Sequence, residues 1–181
     1  MSGVIQEEID KVADREADIV LGYGLCSNGI RNVTAPDQGL YVPRVHDCIA
    51  LFLGSRKRYD EQFQKRPGSY YLTPGWLAEE KDPLGILEND YAPRVGREEA
   101  EESMREELKH YRYIVFIDTG ARATEELKKR AKENADYLGL EYLEYKGSPE
   151  YLERILRGPY NSQWFVYVEP GNKVPLEPFL S

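Results

Sequence analysis

Two thiols and one imidazole lie close together in the chain: Cys26, His46 and Cys48 all fall between Ile19 and Cys48. They are the only cysteines and one of the two histidines. Thiolate and imidazole are the preferred ligands of zinc and related divalent metals. His46-Asp47-Cys48 sets two donors one residue apart, with Cys26 upstream as a third. Two Cys and one His leave a tetrahedral ion one open position, the pattern of a catalytic rather than a closed structural site. Water, a substrate thiol or another soft donor would fill it. A helix starting near Asp47 would also favour the Cys48 thiolate. A C-x2-C pair is absent, so this is not a zinc-finger signature. Three other readings stay open. The thiols could be buried and inert, since free Cys is among the most buried residue types. They could form a disulfide, or cycle between thiol and disulfide. His46 could be no more than a polar residue at a helix start.

Each cysteine-bearing piece follows a short apolar run. Ile19-Val20-Leu21 leads into Gly22-Tyr23-Gly24-Leu25-Cys26, and Leu40-Tyr41-Val42 into Pro43-Arg44-Val45-His46-Asp47-Cys48. Runs of this kind, closed by Gly or Pro, read as strands. As parallel neighbours they would bring their carboxyl ends side by side, where ligands bind in open α/β sheets.

Other residues could line that crevice. Gly22, Tyr23 and Gly24, with Asn28 and Gly29, could form a backbone cradle for a ligand; tight turns at a crowded sheet edge are the plainer alternative. The glycines do not match G-x-G-x-x-G, and no P-loop lysine follows. Arg44, at a strand end, could hold an anionic group. Tyr71, Trp76 and Asp118 end or follow other strands and could wall a planar ligand, or simply pack at the core rim.

Spacing places the elements in order. Val4 to Glu16 is expected as an amphipathic helix, Asp18 to Leu25 as a strand, and Cys26-Ser27-Asn28-Gly29 as a turn. Leu40 to Pro43 is a second strand. Asp47 to Gln64 reads as one helix with Asp47 as N-cap. A strand at Tyr70 to Thr73 follows. Lys81 to Pro93 reads as irregular, and 81–96 as an excursion or lid. Gly96 to His110 is a surface helix with a narrow apolar stripe. Tyr113 to Ile117 is a strand ending in Asp118-Thr119-Gly120. Thr124 caps a helix from Glu125 to Leu138, closed by Gly139. A strand at Leu140 to Tyr145, a helix at Pro149 to Leu156 and a strand at Phe165 to Val168 complete the chain. This alternation predicts a single α/β domain over 1–181, with a mainly parallel sheet of about five strands and helices on both faces.

Composition narrows the function. Acidic residues outnumber basic ones, 32 to 24, for a net charge of −8. Phosphate neutralisation is therefore not the theme, and nucleic acid is a poor partner. No apolar run approaches membrane-spanning length, and the start shows no signal segment. A cytoplasmic location is expected. There, two cysteines serve better as reduced, metal-bound or reactive thiols than as a structural disulfide.

The segments LGYGLCSNGI, VPRVHDCIALFLGS and YYLTPGWL together resemble an uncharacterised domain family of methanogenic archaea and anaerobic bacteria, found near corrinoid-dependent methyltransferases. The likeness spans most of the chain, including the IDTG strand end. It implies that Cys26, His46 and Cys48 belong to the family motif. It also implies a neighbourhood of corrinoid and methyl-transfer chemistry. Family members usually carry one more strand-like segment before the first helix, so a truncated or shortened sheet is expected here. The His-x-Cys pair with a distant Cys is similar to the zinc set of methylcobamide:thiol methyltransferases, although here the lone Cys comes first.

Two functions follow as expectations. One is a metal-binding protein, holding zinc or a similar divalent ion on Cys26, His46 and Cys48, that activates a thiol or methyl carrier. The other is a non-catalytic accessory module that binds a corrinoid or a methyltransferase partner. A homo-oligomer is compatible with either.

Overall fold

Tyr41 lies at the centre of one sheet. Its amide donates to the Ile19 carbonyl at 2.9 Å, and its own carbonyl accepts from Leu21 at 2.8 Å. On the other side Tyr41 faces Tyr167 in an antiparallel pair. The computed structural model that shows this describes residues 2–26, 28–120 and 123–180. The expected turn at Ser27 falls partly outside them.

In chain order the first elements are α1 (Ser2–Asp10), β1 (Leu40–Pro43), α2 (Ile49–Leu53), α3 (Arg56–Lys65), β2 (Ser69–Leu72), α4 (Pro74–Ala78) and α5 (Pro83–Ile86). A π-helical turn (Leu87–Tyr91) leads to α6 (Ala92–Val95) and α7 (Arg97–Leu108). Then come β3 (Tyr113–Asp118), α8 (Glu125–Leu138), β4 (Glu141–Lys146), α9 (Glu150–Arg157), β5 (Phe165–Val168) and α10 (Glu177–Leu180). No helix among the described residues is long and apolar enough to cross a membrane.

Contacts divide the chain into two units, residues 1–56 with 149–181, and residues 57–148. The first holds β1 and β5, antiparallel, with Leu40 opposite Val168 and Pro43 opposite Phe165. The stretch from Ile19 to Leu25 runs parallel along the other edge of β1, bridged at Val20 and Tyr41. Leu40, Val42, Val166 and Val168 meet Ile9, Leu25, Ile30, Val33 and Phe179 in its core.

The second unit is a parallel sheet in the order β2-β3-β4. Parallel neighbours need a crossover connection. Helix α8 links β3 to β4, and the segment from α4 to α7 links β2 to β3. Leu72, Ile114 and Phe116 pack on Ala131 and Ala135 of α8. Leu87, Ala100, Met104 and Leu108 form a further cluster, with Tyr70 shared between the two.

Three expectations need correction. The five strands do not make one mainly parallel sheet: they form a sheet of two and a sheet of three, and β5 is antiparallel to its partner. Local pattern shows where a strand is but not its partner, and the chain after Pro149 returns to the first unit rather than extending the second sheet. The predicted helix from Asp47 to Gln64 is two helices. Gly54 takes φ 86°, a left-handed conformation that closes α2 before α3 begins. The stretch from Lys81 to Pro93, read as irregular, is mostly helical, with Leu84 and Leu87 buried.

Candidate thiol site

The two cysteines meet because parallel backbone pairing continues past the regular end of β1. Leu25 donates to the Val45 carbonyl at 3.0 Å, and Cys26 to the His46 carbonyl at 2.9 Å. Cys26 therefore sits at the end of one extended segment, beside the turn that carries Cys48 at the start of α2. Gly24 makes the approach possible. A Cβ there would lie 3.1 Å from the Asp47 carbonyl carbon, the Cys48 nitrogen and a Val45 methyl.

Both cysteines are free and half-buried, and their thiols share a hydrogen bond. Other donors also reach the Cys26 sulfur. The N–H groups of Cys48 and Gly24 donate to it, and so does the Tyr23 hydroxyl. Hydrogen bonds to the charged form favour that form. The bond from the Cys48 thiol is the largest influence and brings Cys26 down to about 7, against burial and the nearby Asp47 carboxylate. Cys48 moves the opposite way, held protonated first by its bond to Cys26 and then by burial. Burial, then the negative charge of the two sulfurs, raises the Tyr23 phenol. Once one proton has left, the remaining one lies between the two sulfurs, so the titration belongs to the pair.

Cys26 also adopts φ 41°, and Asn28 φ 66°. Asn visits this left-handed region readily, whereas for Cys it is strained. The turn is held by Gly29, whose amide bonds the carbonyls of Leu25 and Cys26 at 2.9 and 3.0 Å. The Asp47 carboxylate caps the following turn through Ile49 N–H at 2.8 Å.

Gly22, Tyr23, Gly24, Cys26, Asn28, Gly29, Arg44, His46 and Cys48 all belong to the first unit. Tyr23 and Gly24 join the two thiols directly. Gly22 has space beside it, with an Ile155 methyl at 3.9 Å from a Cβ placed there. His46 is tied to Cys26 through its carbonyl. Among the described residues, no group of three or more His, Cys, Asp or Glu side chains is arranged to hold a metal ion. Arg44 bonds Trp164 through its amide at 2.8 Å. Its charge acts on Tyr151, a phenol that burial pushes up to about 12.

Tyr71, Trp76 and Asp118 belong to the second unit. Tyr71 lies in β2 opposite Val115, and its ring centroid is 6.3 Å from that of Tyr59. Trp76 stands in α4, its amide bonded to Thr73 Oγ1 at 3.4 Å. Asp118 is occupied locally: Oδ1 accepts from Gly120 at 2.8 Å and its carbonyl from Gly147 at 2.7 Å.

Sequence reasoning read Gly22, Tyr23, Gly24, Asn28 and Gly29 either as a cradle for an outside ligand or, more plainly, as tight turns. Of these, Tyr23 and Gly24 bond the chain's own Cys26 sulfur, and the spacing Gly-Tyr-Gly-Leu-Cys was the available signal.

A family model described as "Protein of unknown function (DUF1638)" matches residues 1–156. No curated protein and no solved structure matches the chain.

Proposed function

The chain belongs to the DUF1638 family, and from that premise we propose that it is a thiolate metal-binding protein centred on Cys26 and Cys48. The observation carrying this reading is the contact between the two sulfurs, with hydrogen bonds stabilising Cys26 as thiolate. Thiolate is the form that binds soft and borderline metals. His46, next to the Cys48 turn, would complete the set only by turning its ring toward the two sulfurs, since the described side chains form no three-donor group as they stand. Zinc or a similar divalent ion bound there would supply Lewis-acid activation of a thiol, water or methyl carrier at its open position. The protein's own part is to hold the two sulfurs together before the ion arrives, so that binding does not bear the cost of bringing them together. The reading extends to corrinoid-linked methyl transfer in a reducing cytoplasm, where two free thiols persist.

The test is elemental analysis of untagged protein purified without oxygen. About one zinc-like ion per chain, lost in Cys26→Ser and in Cys48→Ser and weakened in His46→Ala, supports the proposal. Metal-free protein that binds a cobamide with both thiols unchanged would replace it with the accessory-module reading. Metal retained in both cysteine variants would overturn it.

A further inference from the structure

We propose that Cys26 and Cys48 are also a reversible dithiol–disulfide couple that reacts with small disulfides by exchange, Cys26 attacking and Cys48 resolving. The inference goes beyond the metal reading and does not depend on it, since it needs the two sulfurs and no ion. Three observations carry it. The thiols are in direct hydrogen-bond contact, and both are free. The backbone holds them there through the Cys26 to His46 bond at 2.9 Å and the close approach of Gly24 to Cys48. The surroundings are asymmetric: Cys26 ends an extended segment and its sulfur also takes the Tyr23 hydroxyl, whereas Cys48 stands at the start of α2.

Both residues are half-buried rather than sealed, so a small reagent has access. A buried inert pair would lack that access. Closing this one means bringing the sulfurs from contact to about 2.05 Å. The loop it would seal runs from Cys26 to Cys48 and contains β1, whose pairings with Ile19–Leu25 and β5 are already in place. The folded chain has therefore already ordered the β1 part of that loop.

The exchange balances as follows. The Cys26 thiol gives its proton to solvent, and its sulfur attacks one sulfur of a small disulfide RSSR. A Cys26–SR bond forms and one RS⁻ leaves, taking up a proton. Cys48 then gives up its proton, and its sulfur attacks the Cys26 sulfur. The Cys26–Cys48 bond forms, and the second RS⁻ leaves to be protonated. Two protein thiols are oxidised, and one disulfide is reduced to two RSH. A dithiol reductant reverses both steps. Oxidation would remove both sulfurs as metal donors, so the metal-bound and disulfide states exclude each other.

The experiment uses the full reduced chain and oxidised glutathione as probe, with thiol trapping and peptide mass mapping. The expected result is a link between the peptides of Cys26 and Cys48 within one chain, reversed by dithiothreitol. Cys48→Ser should stop at one glutathione on Cys26. Cys26→Ser should react at Cys48 at least about tenfold more slowly than wild type reacts. Wild-type protein that keeps both thiols free under excess probe, or links only between chains, would overturn the inference. So would Cys26→Ser reacting at the wild-type rate. The wild-type arm needs no variant to fold. If wild type binds no zinc yet forms the link, the metal reading alone falls; if it binds zinc through both sulfurs but never forms the link, this inference alone falls.

Discussion

The Cys26 amide donates to the His46 carbonyl at 2.9 Å, placing Cys26 against the His46-Asp47-Cys48 turn. This bond continues the pairing of Ile19–Leu25 with β1 beyond the last regular strand residue. It converts a wide sequence separation into sulfur–sulfur contact. The proposed chemistry depends on that contact, and the following tests address it and the scaffold around it.

The sulfur contact should be visible in alkylation. Cys26 should react with iodoacetamide with a midpoint near pH 7, set first by the Cys48 hydrogen bond. That bond favours the thiolate, so Cys48→Ala should move the midpoint up toward the ordinary thiol value of about 8.5. Cys48→Ser keeps an O–H donor and should shift it less. A midpoint unchanged in Cys48→Ala would mean the two sulfurs do not interact.

Gly24 tests the close approach. A methyl group there meets backbone at 3.1 Å. Gly24→Ala should cost about 1–3 kcal/mol in urea unfolding, as overpacking does. It should also loosen the bonds to Cys26, raising the alkylation midpoint. Full stability with an unshifted midpoint would show that the segment can move aside freely.

In the second unit, Asp82 is fully buried. Its Oδ2 accepts from Arg130 Nε at 3.0 Å and from Asn134 Nδ2 at 2.5 Å, and Asn134 Oδ1 in turn accepts from Leu84 N–H at 2.9 Å. Asp82→Ala removes the acceptor of one Asn134 N–H and leaves the partly buried Arg130 only the Glu88 carboxylate at 4.0 Å. The expected loss is about 3 kcal/mol by denaturant unfolding. A loss under about 1 kcal/mol would mean that water replaces the carboxylate without penalty.

Thr124 caps α8 by accepting from Leu127 N–H at 3.3 Å. Thr124→Ala should cost about 1 kcal/mol, and Thr124→Ser much less. Equal losses in the two variants would argue against the hydroxyl as the cause.

Elements with strong local signals were legible in the residues. The Thr124 and Gly139 caps bound α8 as expected. The runs at Leu40–Pro43 and Phe165–Val168 are strands with the expected limits. Met104 and Leu108 mark the buried stripe of α7. In these cases backbone preference and side-chain period act within a few residues, so the sequence states them directly. The two cysteines could also be singled out as candidates from residue type, since cysteine reactivity needs no fold to be named.

Tertiary structure alone decided which strands pair. β5 returns to β1 from the far end of the chain, and β2, β3 and β4 form a sheet without them. Pairing partners are chosen by packing over long separations, which local pattern does not encode. Tertiary structure also decided that Tyr23, Gly24 and Cys48 converge on Cys26. Residue type named two ordinary thiols; only the meeting of an extended segment with the turn before α2 couples them, because each sulfur's proton then depends on the charge of the other.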